Sequence, residues 1–350
     1  MKTHNIGIVG YGMIAEIHAA AVLALPNARL VGIMDRGSGR GAQIAPTANQ
    51  RDSGNLRAFI ARDDIDVLLV ATPSGAHLDA ALIAAEQRKH CLVEKPIEIT
   101  VERIDKMIAA HNAAGTQLGG IFNTRYTTGA QLLKRTVDKG RFGSISYASA
   151  VGPWWRDAEY YSESSWKGTW ALDGGGALIN QGIHSVDLLQ WLMGSRVTRV
   201  SGCIATLAHS IEVEDTAAAT LQFANGAIGQ IASTTSMWPG HFRTLTIGGT
   251  NGTAVLADGN LLLWQFREAD ALDDAAARAI LRLPGTGVAA SDPRAGVDAD
   301  GHREVLKRFL SSIDTNTVPE IDGHEARKSV EIIRAVYASS SQGGAAIRLA

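Results

Sequence analysis

One asparagine and one histidine stand four residues apart, shortly after three glycines, in the segment ALDGGGALINQGIHSV at residues 171–186. Side chains four positions apart share one face of a helix, so Asn180 and His184 are expected to point in the same direction. An imidazole has an unperturbed pKa of roughly 6.5 and can act as a general base near neutral pH. The alternative is structural: Asn180 caps a helix, and His184 is a buried, hydrogen-bonded histidine.

A lysine ends the apolar run HCLVEK at residues 90–95 and is followed by Pro96. Because proline lacks an N–H group and has a fixed φ, Pro96 is expected to end a strand and direct Lys95 into the crevice where ligands of open α/β sheets bind. An amine there can hydrogen-bond the hydroxyl groups of a ligand and can help a proton leave one of them. The alternative is a solvated surface lysine.

A glycine-rich turn lies between the first predicted strand and the first predicted helix. Gly10, Gly12 and Ala15 have the G-x-G-x-x-G/A spacing of dinucleotide-binding folds. Gly10 permits the tight turn, Gly12 lets the backbone approach a pyrophosphate, and Ala15 keeps helix and strand close. The helix N-terminus would then face the phosphates.

An aspartate stands 20 residues after Ala15, at the end of the second predicted strand. There the Asp35 carboxylate can accept hydrogen bonds from both adenosine ribose hydroxyls and would repel a 2′-phosphate, which favours NAD over NADP. Arg36, Ser38 and Arg40 leave NADP open, since they could bind that phosphate.

Residues 151–176 form the most aromatic stretch of the chain. Six aromatic side chains fall within 17 residues: Trp154, Trp155, Tyr160, Tyr161, Trp166 and Trp170. Aromatic faces stack on sugar or cyclitol rings, and Arg156 and Lys167 can bind hydroxyls or a carboxylate. A carbohydrate substrate is therefore expected, with an aromatic core cluster or a subunit contact as the alternative for the individual residues.

The elements that position these residues change character along the chain. In the first third, short apolar strands alternate with helical patterns, which predicts a doubly wound parallel sheet. After Phe122, period-two strands and turns such as Asn225-Gly226 predict an antiparallel sheet, closed by helices at about 301–313 and 324–340. We therefore predict an α/β chain with a dinucleotide-binding domain at 1–122 and an α+β domain at 123–350 for substrate binding and oligomerisation.

Composition limits the partners. The chain has 350 residues, 33 lysines and arginines against 35 aspartates and glutamates, and two cysteines. This balance predicts a small-molecule partner rather than nucleic acid or a membrane surface. Cys91 and Cys203 lack metal-ligand spacing and suit a reducing, cytoplasmic compartment. A metal pair of His184 and Asp187 would lack a third ligand, so no metal is expected, and Asp187 is expected to orient a helix or a neighbour.

Several motifs together resemble the Gfo/Idh/MocA family of NAD(P)-dependent oxidoreductases. They are GYGMIA at 10–15, ATPSGAH at 71–77, EKP at 94–96, GGGALINQGIHSVD at 174–187 and EDTAAATLQFANGA at 214–227. The resemblance implies an N-terminal Rossmann domain and a C-terminal α+β domain. The large, open, mostly antiparallel sheet of that second domain would join subunits in a homodimer or homotetramer.

The resemblance also implies roles for individual residues. Lys95 and His184 would be the catalytic pair, assisted by Asn180, and the glycines before them would leave space for a sugar-sized substrate. NAD would be bound by the glycine turn and the strand ends, namely Gly10, Gly12, Met13, Ile14, Ala15, Asp35, Arg36, Thr72, Pro73, Ser74, His77, Glu94, Lys95 and Pro96. The substrate would contact Lys95, Arg125, Tyr126, Trp155, Arg156, Trp166, Asn180 and His184.

Asn180 departs from the family pattern, in which aspartate is commoner. A neutral amide removes a charge that would raise the pKa of both His184 and Lys95. Family members that act on nucleotide-linked aminosugar uronates are similar here, with asparagine in an N-Q-x-I-H context. This similarity favours a glycosyl substrate over a specific inositol.

The sequence thus predicts an enzyme that transfers hydride between NAD and a secondary alcohol of a sugar, sugar derivative or cyclitol. His184 would take the hydroxyl proton, and Lys95 would stabilise the developing alkoxide. Two alternatives stay open. One is an NAD-dependent glycosidase that acts by transient oxidation and elimination, and the other is a non-catalytic sensor of NAD or sugar.

Overall fold

The computed structural model describes residues 2–36, 38–45, 54–282 and 299–349. They form two compact units. The first contains the described residues up to Asn123 together with those from 299 to Arg327, and the second contains Thr124 to 282 and Lys328 to 349. The grouping of residues 299–327 with the N-terminal residues was not foreseen from the sequence. The division into domains at 1–122 and 123–350 stays a prediction.

The first unit contains a five-stranded parallel sheet in the order β2-β1-β3-β4-β5. Its strands are β1 (His4–Val9), β2 (Ala28–Met34), β3 (Val67–Val70), β4 (His90–Val93) and β5 (Leu118–Gly120). All four residues of β3 are buried, as expected for an apolar strand covered on both faces. The predicted Rossmann sheet is confirmed.

Helices flank this sheet. They are α1 (Met13–Leu23), α2 (Arg40–Ile44), α3 (Leu56–Ile60), α4 (His77–Glu86), α5 (Val101–Ala114) and, much later in the chain, α10 (Ala299–Thr315). Thr100 caps α5 by accepting a hydrogen bond from the Arg103 backbone N–H. Helix α10 packs on α1, so a late segment covers the helix that follows the glycine turn.

The second unit contains an eight-stranded sheet in the order β12-β11-β10-β6-β9-β8-β7-β13. Its strands are β6 (Ile145–Pro153), β7 (Val197–Ala205), β8 (Thr216–Phe223), β9 (Ile228–Thr234), β10 (Thr244–Gly249), β11 (Gly252–Ala257), β12 (Asn260–Phe266) and β13 (Ile347–Arg348). Strands β6 and β9 pair in parallel, and the other neighbours are antiparallel. This confirms the expected large, mostly antiparallel sheet.

The remaining helices belong mainly to this second unit. They are α6 (Thr128–Asp138), α7 (Ala158–Ser162), a π-helix (Ala177–Gln181), α8 (Ile183–Met193), α9 (Ala271–Ile280) and α11 (Gly323–Ser341), whose first residues belong to the first unit. Helix α8 packs on β6, and the π-helix packs on β8 and β9. Along β8, Ala217, Ala219 and Leu221 are buried while the residues between them are exposed, so one face of the sheet forms the core.

In the part of the chain that the structure describes, no helix combines the length and apolar character needed to span a membrane.

Candidate functional site

The glycine turn after β1 leaves no room for side chains at its tightest point. Gly10 has a φ of 117°, and a Cβ there would lie 2.3 Å from the carbonyl oxygen of Ala71. Gly12 precedes α1, and a Cβ there would meet none of the atoms that the structure describes within 4 Å, whereas Ala15 is fully buried. The half-buried Ile14 and the exposed Met13 begin the helix. This open space before the helix N-terminus fits a dinucleotide diphosphate.

Asp35 lies immediately after β2. Its side chain is almost fully buried, and its Oδ2 accepts a 2.9 Å hydrogen bond from the backbone N–H of Gly41. The adjacent Arg36 is exposed and has a φ of 54°. Arg40, a candidate ligand for a 2′-phosphate, approaches Glu16 at 3.5 Å. The Asp35 carboxylate at the end of β2 fits the adenosine ribose of NAD, and the nearby Arg40 is directed toward Glu16.

The loop after β3 carries a buried polar atom that lacks a protein partner. Within the described residues, Oγ1 of Thr72 has no hydrogen-bond partner. The backbone nitrogen of Thr72 would lie 3.1 Å from a Cβ at position 10, so this hydroxyl belongs to a residue beside the glycine turn. Pro73 and the buried Ser74 follow it. An orphaned hydroxyl here supports a polar ligand, since buried polar groups normally find partners.

His77 joins two loops of the first unit. Its Nδ1 lies 3.0 Å from the carbonyl oxygen of Pro96, and its Nε2 lies 2.9 Å from that of Thr72. Burial lowers the pKa of His77, and a neutral imidazole has a single N–H to donate. His77 therefore donates to one of these two carbonyl oxygens at a time, and its ring lies between the loop after β3 and the loop after β4. Its predicted cofactor contact stays a prediction.

Glu94 anchors the backbone at Lys95. Its Oε2 accepts a 2.9 Å hydrogen bond from the Lys95 N–H, and its Oε1 accepts one of 2.7 Å from Nε2 of His18. Burial alone would raise the pKa of Glu94, but the hydrogen bond from His18 and the positive charges nearby lower it to about 2. Lys95 itself is half-buried and is joined to Pro96 by a cis peptide bond.

His302, which the sequence analysis did not select, lies beside His18 and Glu94. Nε2 of His302, from α10, lies 3.7 Å from Oε1 of Glu94, and the three candidate metal-ligand atoms all lie within 4.8 Å of one another. The 2.7 Å contact between His18 and Glu94 is already accounted for as a charge-assisted hydrogen bond. We therefore describe the cluster as a support for Glu94, and the expectation of no metal stays a prediction.

In the second unit, the triple glycine has a packing reason. Gly174 and Gly175 have φ values of 81° and 156°. A Cβ at Gly175 would lie 2.1 Å from the Tyr337 hydroxyl, and one at Gly176 would lie 1.7 Å from the backbone oxygen of Glu214. The expectation that these glycines leave space for a sugar is corrected here, because protein atoms occupy that space at positions 175 and 176.

Glu214 holds the beginning of the π-helix. Its carboxylate accepts hydrogen bonds from the backbone N–H groups of Gly176 at 2.8 Å and Leu178 at 2.9 Å, and from the Tyr337 hydroxyl at 2.9 Å. Its backbone oxygen accepts from Ala177 at 2.9 Å. Burial raises the pKa of Glu214, while these hydrogen bonds oppose the shift.

Asn180 and His184 lie on two different helical segments. Asn180 belongs to the π-helix and His184 to the first turn of α8, with Gly182 between them, whereas the sequence predicts one continuous helix. A Cβ at Gly182 would lie 2.8 Å from the Ser233 hydroxyl, which donates to the carbonyl of Ala177. Both candidate side chains are half-buried.

A carboxylate that the sequence analysis did not select contacts Asn180. Oδ1 of Asp173 accepts a 2.7 Å hydrogen bond from Nδ2 of Asn180, and Oδ2 accepts one of 2.9 Å from the Gly168 N–H. Asp173 is almost fully buried. Asn180 is neutral where the family usually has an aspartate, but the carboxylate of Asp173 lies next to it.

Two cationic groups flank the ring of Tyr160. Nζ of Lys167 lies 3.7 Å from the ring centroid, and Cζ of Arg156 lies 5.3 Å from it. The Tyr160 hydroxyl accepts a 3.1 Å hydrogen bond from Nε2 of Gln181, the residue after Asn180. The structure thus brings the cationic part of the aromatic segment to the helix that carries Asn180.

The other aromatic candidates make different contacts within this unit. Trp155 packs near the His209 ring at a centroid distance of 5.8 Å, and the exposed Trp170 meets the Tyr337 ring at 5.4 Å. Trp166 is half-buried, and its carbonyl accepts a hydrogen bond from Thr169. Their predicted substrate contacts stay predictions.

Arg125 is fully buried in an ion pair with Asp187 on α8. Its Nε and Nη2 donate to the two carboxylate oxygens at 2.7 and 2.5 Å, and its guanidinium faces the Trp191 ring. Asp187 thus orients a neighbour, as expected, and the observed role of Arg125 is to hold α8. Its predicted contact with substrate, and that of the half-buried Tyr126, stay predictions.

Known proteins match both parts of the chain. Residues 4–121 match a family described as "Oxidoreductase family, NAD-binding Rossmann fold", and residues 130–255 match the "GFO/IDH/MocA C-terminal domain". The crystal structure of the WlbA dehydrogenase from Bordetella pertussis, in complex with NADH and UDP-GlcNAcA, has a TM-score of 0.89 and 31% sequence identity. That match covers 100% of this chain and 98% of WlbA.

Two curated relatives match at lower identity. The oxidoreductase YrbE of Bacillus subtilis is 25% identical over 96% of this chain and 94% of its own length. The levoglucosan dehydrogenase of Pseudarthrobacter phenanthrenivorans is 27% identical over 73% of this chain and 74% of its own length. The similarity therefore extends through both compact units.

Proposed function

The chain belongs to the Gfo/Idh/MocA family and is an NAD(P)-dependent dehydrogenase, and on that premise we propose that it oxidises a secondary alcohol of a nucleotide-linked sugar that bears a carboxylate. The probe compound for this class is UDP-GlcNAcA. The reverse reduction uses the same groups.

The proposed substrate class is based mainly on the two cationic side chains beside the ring of Tyr160. Lys167 and Arg156 flank one aromatic ring, and that ring is hydrogen-bonded to Gln181 beside Asn180. Cationic side chains at this position suit a substrate that carries negative charge, since guanidinium groups bind carboxylates and phosphates.

Two further observations support the same class. WlbA, whose structure contains UDP-GlcNAcA, is 31% identical over almost its whole length. The sequence Asn180-Gln181-Gly182-Ile183-His184 has the N-Q-x-I-H pattern that favours a nucleotide-linked aminosugar uronate.

In the proposed mechanism, the bound NAD supplies the acceptor for the hydride. The His184 imidazole takes the proton of the substrate hydroxyl as the C–H bond breaks. The Lys95 ammonium stabilises the negative charge that develops on that oxygen. Asn180 hydrogen-bonds the reacting groups, and Asp35 binds the adenosine ribose of the cofactor.

The test is a turnover assay with NAD that follows NADH absorbance. We expect UDP-GlcNAcA to be oxidised, with UDP-GlcNAc, which lacks the carboxylate, and myo-inositol turned over at least tenfold more slowly. Equal or faster oxidation of either compound without the carboxylate would contradict the carboxylate requirement. Release of UDP without net NADH would instead indicate elimination by transient oxidation, and NAD binding without any turnover would indicate a sensor.

We also infer that copies of the chain associate through the outer face of the eight-stranded sheet. Ala218, Thr220 and Gln222 on β8 and Ile228 on β9 lie exposed on strands whose alternate residues form the core. The resemblance to the family implies a homodimer or homotetramer through this sheet. Light scattering after size exclusion should give a dimer or tetramer for the wild type and a smaller species for Ile228→Lys, and a monomeric wild type would contradict the inference.

A further inference from the structure

We infer that Asp173 is a positioning residue of the dehydrogenase, which fixes the end of the Asn180 amide that faces the reacting groups. This inference rests on the proposed catalytic role of Asn180. Its basis is the 2.7 Å hydrogen bond from Nδ2 of Asn180 to Oδ1 of Asp173.

The chemistry of the two groups determines the orientation of the amide. An ionised carboxylate only accepts hydrogen bonds, whereas an amide has a donor end and an acceptor end. The amide of Asn180 must therefore direct its NH₂ group toward Asp173, and its carbonyl oxygen points away. Crystallographic density rarely distinguishes the two ends of an amide, but here the partner determines the assignment.

Asp173 is itself held in place. Its second oxygen accepts the 2.9 Å hydrogen bond from the Gly168 N–H, and its side chain is almost fully shielded from solvent. Gly168 has a φ of 75°, and a Cβ there would lie 2.9 Å from Ile211. The backbone that donates to Asp173 is thus closely packed against Ile211.

The charge of Asp173 also reaches its neighbours. After burial, it is among the groups that raise the pKa of Tyr161 to about 12. A chain with aspartate at position 180 would put this charge directly on the reacting groups. Here the neutral amide of Asn180 lies between the charge and the reacting groups. Asn180 offers them its acceptor oxygen, while its NH₂ group is hydrogen-bonded to the Asp173 carboxylate.

The first experiment measures the amide orientation without any substrate. In protein labelled with ¹⁵N-asparagine, the side-chain NH₂ signal of Asn180 is assigned by its loss in Asn180→Asp. We expect one of its protons to be shifted downfield by the carboxylate, and this shift to disappear in Asp173→Asn. An Asn180 signal that is identical in wild type and Asp173→Asn would overturn the inference, whatever the substrate proves to be.

The second experiment measures the effect on turnover of UDP-GlcNAcA. Asp173→Asn keeps an acceptor for Gly168 but lets the amide of Asn180 reverse, so kcat should fall about 10- to 100-fold, the range expected for a hydrogen bond to a charged group. The affinity for NADH and the melting temperature should stay near those of wild type. Asp157→Asn, an exposed cap of α7 in the same segment, is the matched control and should leave kcat unchanged.

An exchange of the two residues separates positioning from general damage. Asn180→Asp alone brings two carboxylates together, so one must bind a proton, and activity should fall as pH rises. The double variant Asp173→Asn/Asn180→Asp restores an amide–carboxylate hydrogen bond. Its kcat should be at least tenfold higher than that of Asn180→Asp. No recovery, or a kcat of Asp173→Asn within twofold of wild type, would overturn the inference. If the wild type does not oxidise UDP-GlcNAcA, the proposed substrate is wrong, and the NMR signal of the Asn180 amide alone tests the role of Asp173.

Discussion

The Tyr337 hydroxyl donates a 2.9 Å hydrogen bond to Oε1 of Glu214, and the same hydroxyl lies where a side chain at position 175 would have to be. The two residues come from α11 and from the end of the loop before β8. Together they enclose the start of the π-helix that carries Asn180. The glycines of this motif are therefore part of a packed contact between distant segments.

Alanine at either of two glycines should disrupt this contact. In Gly175→Ala and Gly176→Ala the new Cβ would lie 2.1 Å from the Tyr337 hydroxyl and 1.7 Å from a backbone oxygen. We expect each to lower the free energy of unfolding by about 2–4 kcal/mol, as overpacking and strained backbone do. Denaturant titration measures this loss. Gly54→Ala, where a Cβ would meet none of the described atoms within 4 Å, should change it little, and equal effects at the three positions would contradict the packing account.

Removal of the proposed base should stop turnover but leave cofactor binding intact. His184→Ala should lower kcat by about 100- to 10,000-fold, the range expected for loss of a general base. Lys95→Met should also lower kcat, with little change in NADH affinity, because it would act on the developing charge. NADH fluorescence titration and steady-state kinetics measure both. The exposed residues His241 and Lys106 provide matched controls as His241→Ala and Lys106→Met.

A near-wild-type rate for His184→Ala would remove His184 from the mechanism. The same result for Lys95→Met would leave Lys95 as a structural residue.

The charge of Asp35 should decide between the two nicotinamide dinucleotides. Asp35→Asn retains an oxygen for the Gly41 N–H but loses the charge-assisted hydrogen bonds to the ribose. We expect the dissociation constant for NAD to rise about tenfold or more, while that for NADP stays the same or falls. Equilibrium binding of both cofactors tests this. An equal loss of affinity for NAD and NADP would contradict the proposal that Asp35 binds the adenosine ribose.

Acidification should destabilise the first unit through His111. Burial lowers the pKa of His111 to about 4, with its Nε2 facing the carbonyl of Ala81. Below the unfolded pKa of roughly 6.5, the unfolded chain binds a proton that the folded chain does not, so stability falls as pH drops from 6.5 to 4. The loss should be on the order of 3 kcal/mol.

Chemical denaturation at several pH values measures this dependence. His111→Gln should lose less stability than wild type between pH 6.5 and 4, whereas His324→Gln, at an exposed position of α11, should follow wild type. Parallel curves for wild type and His111→Gln would exclude His111 as the source.

Local signals predicted the first unit well. Gly10, Gly12 and Ala15 have a spacing that one strand, one turn and one helix must satisfy, so the sequence near them suffices to place the turn. Contacts between distant segments were not predictable in this way. Asp173 was not selected because nothing in its immediate sequence shows that it hydrogen-bonds Asn180, and the packing of α10 on α1 joins residues almost 300 positions apart.

Two further site features were not predicted. The buried ion pair between Arg125 and Asp187 joins residues 62 positions apart, so neither local sequence shows it, and the predicted contact of Arg125 with substrate stays a prediction. The π-helix at 177–181 has a composition that suits an α-helix equally well, because the two differ in hydrogen-bond register rather than in residue preference.

That register has a consequence for the residues that follow. A π-helix closes its hydrogen bonds over one residue more than an α-helix, so an extra residue is accommodated within a single turn. If one residue between 177 and 181 were deleted, the turn could close as an ordinary α-helix while the side chains of α8, His184 among them, kept their directions. The turn at 177–181 is thus a place where this chain could gain or lose one residue without displacing the imidazole at position 184.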